Sequence, residues 1–277
     1  MKNIDRDVVD DFGEEWSAFN QSDIPDIDLQ KAWDQYFSIF PFEKLNTNSE
    51  GFDMGCGSGR WAIFTAPRVG HLNCIDPSNK ALDVAKNNLA PYKNVSFYNA
   101  SVSDNVLNKN SQDFGYCLGV LHHIPDTDDG LKSCARALKE GAPFLLYLYY
   151  DFENRSRAFK FIWQVSNIFR LIISKLPSKL KLAVTYAIAI VIYYPLARLA
   201  LLVEKIGLNA KSIPLYDYRE KKFRFMTTDS LDRFGTRLEK RYSKKDIKDM
   251  LERAGFCDIS FSDNEPFWVC LAYKSRI

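Results

Sequence analysis

The chain has 277 residues and a mass of 31.9 kDa, enough for one large domain or for one domain with a sizeable insertion. Hydrophobic residues make up 46% and charged residues 26%, which excludes global disorder and low-complexity architecture. Lys and Arg total 37 against 35 Asp and Glu, and this near-neutral balance argues against a dedicated nucleic-acid binder.

Cysteine usage and the N-terminal segment both bear on the cellular compartment. No two cysteines have the C-x-x-C spacing of a zinc or redox site, and most lie in apolar runs or beside glycine, which favours free thiols in a reducing compartment. The first sixteen residues are acidic and lack the apolar run of a secretory signal, so we expect a cytoplasmic protein. The cysteines are Cys56, Cys74, Cys117, Cys134, Cys257 and Cys270.

The first half of the chain alternates between helical and strand patterns. Helices are predicted over residues 4–20, 28–42, from the glycine-rich turn to about 68, 77–89 and 127–139. Strands are predicted over residues 51–54, 71–75, 95–99, 114–120 and 143–149. In the first helix, Phe12, Trp16 and Phe19 are spaced to share one face. The alternation predicts an α/β fold with a doubly wound, mostly parallel sheet covered on both faces.

The last fifth of the chain resumes this pattern after a long interruption. Ser243 is a good N-cap for a helix over 244–254, and two antiparallel strands follow at 256–260 and 267–272. More than 90 residues separate this helix from the strand ending at Tyr149, far more than a crossover needs, so a helical insertion is expected. The predicted parts are N-terminal helices that cover the cofactor (1–45), a core (46–150), the insertion (151–242) and the rest of the core (243–277).

A glycine-rich turn after the first strand, GFDMGCGSGR at 51–60, carries the strongest functional signal. Glycines let the backbone approach a ligand closely, and the following helix offers free N–H groups to it. The turn has G-x-G-x-G spacing, and Arg60 stands where a dinucleotide fingerprint has its third glycine. Asp53 would be awkward beside a pyrophosphate but suits a ligand that carries an ammonium group.

An acid closes the second strand, in the segment Cys74-Ile75-Asp76-Pro77. Asp76 comes seventeen residues after Gly59, where a carboxylate at a strand tip can accept hydrogen bonds from ribose hydroxyls. A glycine turn alone could be a mere tight turn, but the pair favours a nucleoside ligand.

The segments FDMGCGSGR, CIDPS and GVLHHIPD together resemble the class I S-adenosylmethionine-dependent methyltransferases. The resemblance covers about residues 50–150 and 243–274. It implies a seven-stranded, mostly parallel, Rossmann-like sheet with the helical insertion before the last two strands, and S-adenosyl-L-methionine as cofactor.

The resemblance also implies a role for each matching residue. Asp53 would face the amino group of the methionyl moiety, directly or through water, and Asp76 would hold the ribose hydroxyls. Ser101 stands where many members have an acid that takes the adenine amino group, which is a departure from the family pattern. The remaining cofactor-binding candidates are Gly55, Cys56, Gly57 and Gly59 around the methionyl moiety, Pro77, Ser78 and Val102 near the adenine, and Leu118 and Gly119 on the sulfonium side.

Two adjacent histidines, His122 and His123, follow the fourth strand, at the sheet edge where α/β folds bind ligands. One of them could contact the acceptor or act as general base; alternatively, His123 packs the following loop and His122 is solvated. Methyl transfer is an in-line displacement that depends mainly on positioning. The sequence contains no readable metal-ligand cluster, so a metal-free reaction is predicted.

The insertion has an unusual charge distribution. Residues 154–203 contain eight Lys and Arg and no Asp or Glu, and residues 182–197 are uncharged. A true membrane span is rejected, because Arg198 lies inside the apolar run and a single pass would separate the two halves of one sheet. Three readings remain open: a packed lid or subunit interface, a cationic apolar hairpin on the inner membrane face, and a site for an anionic acceptor. In the following segment, Asp229, Asp232 and Arg233 are weak acceptor-site candidates, or a solvated charged loop.

The leading functional prediction is a methyltransferase that acts on a small-molecule, glycan or lipid-linked acceptor, not on nucleic acid. The alternative is a catalytically silent protein of the same fold that assembles through its apolar insertion. The intact glycine turn and Asp76 favour the enzyme. A homo-oligomer and peripheral membrane contact are both compatible with the sequence.

Overall fold

The computed structural model describes residues 3–18, 26–210 and 212–276. They form two compact units: unit 1 combines the chain up to Glu153 with the segment from Leu238 onward, and unit 2 is Asn154–Arg237.

Unit 1 contains a seven-stranded sheet in the order β3-β2-β1-β4-β5-β7-β6. The first five strands pair in parallel, and β7 is antiparallel to both of its neighbours, β5 and β6. The predicted fold class and the antiparallel C-terminal pair are therefore confirmed. The strands are β1 (Glu50–Met54), β2 (His71–Asp76), β3 (Val95–Asn99), β4 (Phe114–Leu118), β5 (Pro143–Tyr147), β6 (Phe256–Phe261) and β7 (Cys270–Lys274).

Helices cover both faces of the sheet. Strand β4 is buried along its whole length, as expected for a central strand that helices cover on both sides. The helices of unit 1 are α1 (Arg6–Ala18), α2 (Asp26–Phe37), α3 (Ala62–Thr65), α4 (Asn79–Asn88), α5 (Thr127–Ala137) and α10 (Lys244–Arg253). As predicted, Ser243 caps α10: its hydroxyl accepts the Asp246 N–H, and the Asp246 carboxylate accepts the Ser243 N–H at 3.0 Å.

Aromatic rings pack on glycines where the central strands β1 and β4 pair. A Cβ on Gly51 would overlap the ring of Phe114, and a Cβ on Gly115 would overlap the ring of Phe52. Gly51 therefore serves sheet packing, whereas the glycines that follow β1 shape the turn.

Several predicted boundaries are wrong, three of them by three residues or more. The second helix was expected over 28–42, but α2 ends at Phe37. The helix after the glycine turn was expected to run to about residue 68, but α3 ends at Thr65 and a 3₁₀ turn, Ala66–Arg68, follows. Pro67 lacks the N–H that a continuing α-helix needs. Strand β7 begins at Cys270 instead of Phe267, because the N–H of Ser262 donates to the carbonyl of Val269 and closes a longer connection.

Unit 2 is helical, as predicted for the insertion. Its helices are α6 (Arg157–Ile173), α7 (Ser178–Ile188), a π-helical turn (Ala189–Tyr193), α8 (Tyr194–Lys205) and α9 (Phe223–Gly235). Asp229, Asp232 and Arg233 lie on α9, so the solvated-loop reading of this segment is wrong. The Asp229 carboxylate accepts hydrogen bonds from the hydroxyls of Tyr218 and Tyr193 inside the unit.

Three of the eight basic residues of the insertion turn toward the interior of unit 2, which the charge pattern of the sequence alone does not indicate. Arg170 is buried and donates to the carbonyls of Thr236 and Arg237 at 2.8 and 3.2 Å. Lys181 is buried, and Arg198 donates to the carbonyls of Arg219 and Lys221.

Candidate active site

The glycine turn lies at the carboxyl end of β1 and is tied to β2. The N–H groups of Gly55 and Cys56 both donate to the carbonyl of Ile75, at 2.8 and 3.0 Å. Gly57 has a φ of +53°, in the left-handed region that favours glycine, and a Cβ there would lie 3.1 Å from the Trp16 ring. The turn is therefore fixed by β2 on one side and faces α1 on the other.

Asp76 ends β2 beside this turn. Its two carboxylate oxygens accept the N–H groups of Gly57 and Ser78, each at 2.9 Å. Burial raises the pKa of Asp76 to about 6, while the two backbone hydrogen bonds oppose that shift. The side chain lines a pocket, so a ligand hydroxyl can reach a carboxylate whose direction the backbone has already set.

Asp53 is a buried residue of strand β1, two residues before Gly55 of the turn. Burial raises the pKa of Asp53 to about 8. The hydrogen bond from the Tyr116 hydroxyl lowers this pKa, the charge of Asp76 raises it further, and the charge of Arg60 lowers it. Among the described residues no donor pairs with its Oδ2 atom. Asp53 does not line the pocket formed by the described residues. Its contact with a ligand ammonium, directly or through water, remains a prediction.

The pocket brings together ten of the twelve predicted cofactor-binding residues. The two predicted residues that do not line this pocket of the described chain are Asp53 and Gly59. Gly59 packs beside the C-terminal end of α4, where a Cβ on it would lie 2.9 Å from Leu89 Cδ1. Ser101 lines the pocket and begins a 3₁₀ turn, where its N–H donates to the Asp104 carboxylate at 2.8 Å in a capping box. The ten are Gly55, Cys56, Gly57, Asp76, Pro77, Ser78, Ser101, Val102, Leu118 and Gly119.

Helix α1 supplies another wall of the pocket, through Val8, Val9, Phe12 and Trp16. Phe12 and Trp16 therefore share a face, as predicted; Phe19, the third member of that prediction, lies outside the described residues.

Both ends of α1 are tied to the core of unit 1. Before the helix, the Asn3 amide donates to the Asp126 carbonyl at 2.6 Å and accepts the Asp126 N–H at 2.7 Å. Toward its other end, Gly13 packs so closely on Ser78 that a Cβ would overlap the hydroxyl.

The two histidines have different environments. His123 lines the pocket, its ring lies 4.9 Å from that of Phe12, and its Nδ1 is 2.6 Å from the carbonyl of Leu238. A carbonyl can only accept, so Nδ1 carries the proton and Nε2 of the neutral ring carries the lone pair.

His122 is completely buried and does not line the pocket of the described residues. Its ring stacks on Tyr149 at 3.9 Å, and its Nδ1 accepts the Tyr149 N–H at 3.4 Å. Burial, with the charges of His123 and Arg241, holds the pKa of His122 well below its usual range. The alternative that His122 is solvated is therefore wrong, and its contact with an acceptor remains a prediction.

Two residues of the site were missed at the sequence level. Tyr116 pairs in register with Asp53 across β1 and β4, so the implied strand order would have placed the phenol beside the acid. Asn3, which ties α1 to the loop after β4, carries no sequence signal, because its partner is 123 residues away.

The site can be tested against S-adenosylmethionine through its buried polar side chains. Asp53 Oδ2 is buried without a partner in the described residues, next to the glycine turn, as suits the nearby ammonium group that the resemblance implies. The Asp76 carboxylate and Ser101 both line the pocket, and backbone N–H groups fix the carboxylate for the ribose hydroxyls. The residues present therefore fit this cofactor. No group of three or more His, Cys, Asp or Glu suited to a metal occurs within the described ranges.

Comparisons with known proteins agree with this fit. A family model described as "Methyltransferase domain" matches residues 52–141. A ubiquinone biosynthesis O-methyltransferase of Nitrosomonas europaea is 31% identical over 106 residues, which cover 38% of this chain and 43% of that protein. The protein of the same name from Dechloromonas aromatica is 31% identical over 155 residues, covering 53% of this chain and 64% of that protein. The match thus spans less than two thirds of either relative.

Solved structures share the fold at low sequence identity. A Thermotoga maritima S-adenosylmethionine-dependent methyltransferase, described as a possible histamine N-methyltransferase, has a TM-score of 0.52 at 13% identity and covers 96% of this chain and 100% of that chain. A methyltransferase in complex with the Trm112 activator of Haloferax volcanii has a TM-score of 0.53 at 12% identity and covers 96% and 98%. With the sheet order and the glycine turn, the match over residues 52–141 shows that the chain contains a class I S-adenosylmethionine-dependent methyltransferase domain.

Proposed function

We propose that this protein transfers a methyl group from S-adenosylmethionine to a hydroxyl oxygen of a small, largely apolar molecule. The proposal rests on one observation: donor-side and acceptor-side residues line the same pocket. Asp76 and the glycine turn form one part of it, and His123 with apolar side chains forms the next. Oxygen as the acceptor atom is supported by the names of the relatives, which are O-methyltransferases.

The donor side would hold the cofactor through groups that are already positioned. Asp76 would accept the ribose hydroxyls, Ser101 would meet the adenine amino group, and Asp53 would attract the ammonium group through water. The cofactor supplies an electrophilic methyl group on a sulfonium, a good leaving group. The protein's part is to hold the acceptor oxygen in line at about 3 Å, which accounts for most of the acceleration in such a transfer.

The acceptor side has apolar walls and one imidazole. Beyond the donor residues the pocket is lined mostly by apolar side chains, including Ile4, Val8, Phe12, Val120 and Ile124, and also by Asn3, Asp5 and Arg60. The apolar majority favours an acceptor with an apolar body over a free sugar. His123 would take the hydroxyl proton on Nε2, because its Nδ1 already donates to Leu238. An acceptor that is already an anion would not need this base.

The test is turnover of the full chain with 4-alkylcatechols of increasing chain length, measured as S-adenosylhomocysteine release. We expect methylation on oxygen, with KM falling as the alkyl chain lengthens. Glucose and adenosine serve as polar hydroxyl controls and should not be methylated. Preference for either control, or methylation on nitrogen of the matching alkylanilines, would contradict the proposal. Calorimetric binding of S-adenosylmethionine without turnover of any acceptor would instead favour the silent assembly protein.

A further inference from the structure

The surface of unit 2 is unusually apolar. Apart from Ile27 and Val106, the exposed large apolar side chains of the described residues all lie between residues 161 and 208. Water-soluble proteins rarely leave a continuous apolar region of this extent uncovered, and such regions mark interaction sites. The exposed side chains are Phe161, Ile162, Val165, Ile168, Phe169, Leu171, Ile172, Leu180, Leu182, Tyr186, Ile190, Val191, Ile192, Tyr194, Leu199, Leu202, Ile206 and Leu208.

Helix α6 has the reverse of the usual amphipathic arrangement. Its outward face carries aliphatic and aromatic side chains, such as Ile168 at 59% and Ile172 at 61% exposure. Its inward face carries Ile173 together with polar groups: Arg170 donates to the carbonyl of Thr236, and the hydroxyl of Ser166 accepts from Arg233 at 3.0 Å. A surface helix in water would place these two faces the other way round.

The segment Ser178–Lys205 repeats this arrangement. By length and composition this continuous 28-residue helical segment could cross a membrane, but only 22% of its most apolar window is buried. It is therefore not the buried core helix of a water-soluble domain. Val191, which lies within this segment, has an exposed fraction of 71%. The buried side chains follow helical spacing and are mostly small or polar: Lys181, Thr185, Ala189, Tyr193, Ala197 and Ala200.

The interior of unit 2 combines a small apolar cluster, which includes Ile173, Met226 and Phe234, with buried polar contacts. Helix α9 contacts both α6 and α7. Its Ser230 hydroxyl donates to the carbonyl of Thr185 at 2.8 Å, and its Asp229 accepts from Tyr193 and Tyr218. Small residues at helix contacts, inward ionisable groups on backbone carbonyls and outward aliphatic chains are typical of helices whose surroundings are lipid.

The charged residues of the stretch 154–203 have one sign, and the exposed acids of unit 2, Asp217 and Glu220, lie outside it. Residues 154–203 contain no acid, and the exposed basic side chains Arg157, Lys175 and Lys179 bracket α6. A second copy of this face would bring like charges together, whereas a surface with anionic headgroups complements them. The chain leaves and re-enters unit 1 at Glu153 and Leu238, so both ends of unit 2 belong on the same side of a membrane.

We propose that unit 2 docks on the interface of a lipid bilayer with anionic headgroups, with the outward faces of α6–α8 in the acyl boundary and the basic ends of α6 at the headgroups. The bilayer would cover the apolar area that the fold leaves exposed. This inference is independent of the reaction that unit 1 carries out.

The experiment is flotation of the full chain with vesicles of phosphatidylcholine alone or with added phosphatidylglycerol. We expect flotation with the anionic vesicles at low salt and partial release at high salt, because salt screens the basic residues but not apolar burial. The double variant Ile168→Glu, Ile172→Glu should reduce the bound fraction about tenfold or more. Both side chains face outward, so the helical content should not change.

The matched control is Ile27→Glu, which changes an exposed isoleucine of unit 1 (65%) and should float like the parent chain. If the double variant misfolds, brominated lipid should still quench the tryptophan added by Val191→Trp, whereas it should not quench the tryptophan added by Ile27→Trp. Indifference to vesicles, with a dimer detected by light scattering, would overturn the proposal in favour of a subunit interface. Resistance to alkaline carbonate extraction from cell membranes would overturn it in favour of a span.

Discussion

The backbone N–H of Gly57 donates to the carboxylate of Asp76 at 2.9 Å, which joins the glycine turn after β1 to the end of β2. The second Asp76 oxygen accepts the N–H of Ser78, the N-cap of α4. One buried carboxylate therefore holds the turn and the following helix in register and also faces the pocket. A change at Asp76 should affect ligand binding and turn geometry together.

We expect Asp76→Ala to weaken binding of S-adenosylmethionine by about 1.5–3 kcal/mol, roughly 10- to 150-fold, because charged acceptors for two hydroxyls are removed. Isothermal calorimetry measures this directly. Asp83→Ala is the matched control, since Asp83 is an exposed acid on α4 paired with Lys86. Equal affinity in the parent and the Asp76 variant would refute the assignment.

Binding of S-adenosylhomocysteine should weaken below about pH 6. The pKa of Asp76 is raised to about 6, and only the ionised form accepts both hydroxyls, so about a tenth of the protein is competent at pH 5. We therefore expect the dissociation constant to rise about tenfold from pH 7 to pH 5. Asp76→Asn should bind weakly at all pH values and lose this step; if it keeps the step, another group titrates.

Gly57→Ala should lower the affinity for S-adenosylhomocysteine about 10- to 100-fold. The left-handed backbone costs a non-glycine residue about 1–2 kcal/mol, and the added Cβ meets the Trp16 ring. Gly207→Ala is the control for backbone strain alone, because Gly207 also has positive φ but its Cβ would meet no described atom within 4 Å. Affinity should recover in part when Trp16→Ala is added to Gly57→Ala.

The order of elements followed from the sequence because strand and helix periodicities differ and glycine, proline and N-cap residues mark boundaries. Boundaries failed where distant contacts decide them: β7 starts at Cys270 because it pairs with β5, where Leu145 faces Leu271. The helical nature of unit 2 followed from composition, but the inward direction of Arg170 and Lys181 depends on tertiary packing that composition does not contain.

The donor residues were predictable because they cluster in short segments at strand ends. The role of Asn3 was not predictable, because it depends on a contact with Asp126, which is distant in the sequence. The difference between His122 and His123 was also hidden, because two adjacent residues look equivalent until the backbone turns one inward and the other toward the pocket.

Asp53→Asn should stabilise the ligand-free protein at pH 8 and change little near pH 4. The folded pKa of about 8 lies above the ordinary 3.8, so the stability that wild type has at low pH is lost as pH rises toward 8. The side-chain amide of the variant does not ionise, so the variant keeps this stability as the pH rises. We expect the melting temperature of the variant to exceed that of wild type by roughly a few degrees at pH 8.

The same variant should gain less from ligand, because an amide attracts an ammonium group less than a carboxylate does. Differential scanning fluorimetry with and without S-adenosylhomocysteine checks both effects. A variant that is less stable than wild type at pH 8 would mean that the Asp53 charge is stabilised by more than Tyr116 and Arg60.

His123→Gln should lower kcat by about 10²- to 10⁴-fold with a hydroxyl acceptor if His123 is the base, and should remove the acid limb of the pH–rate profile. Glutamine can still donate to the carbonyl of Leu238, so the packing role is largely kept while the basic nitrogen is lost. His122→Asn separates the two histidines: it disturbs the stacking on Tyr149 and should lower stability, yet keep the shape of the profile. His71→Gln, at a histidine paired with Ser96 at the start of β2, should change neither. If His123→Gln lowers kcat without altering the profile, His123 positions the acceptor and the proton leaves by another route.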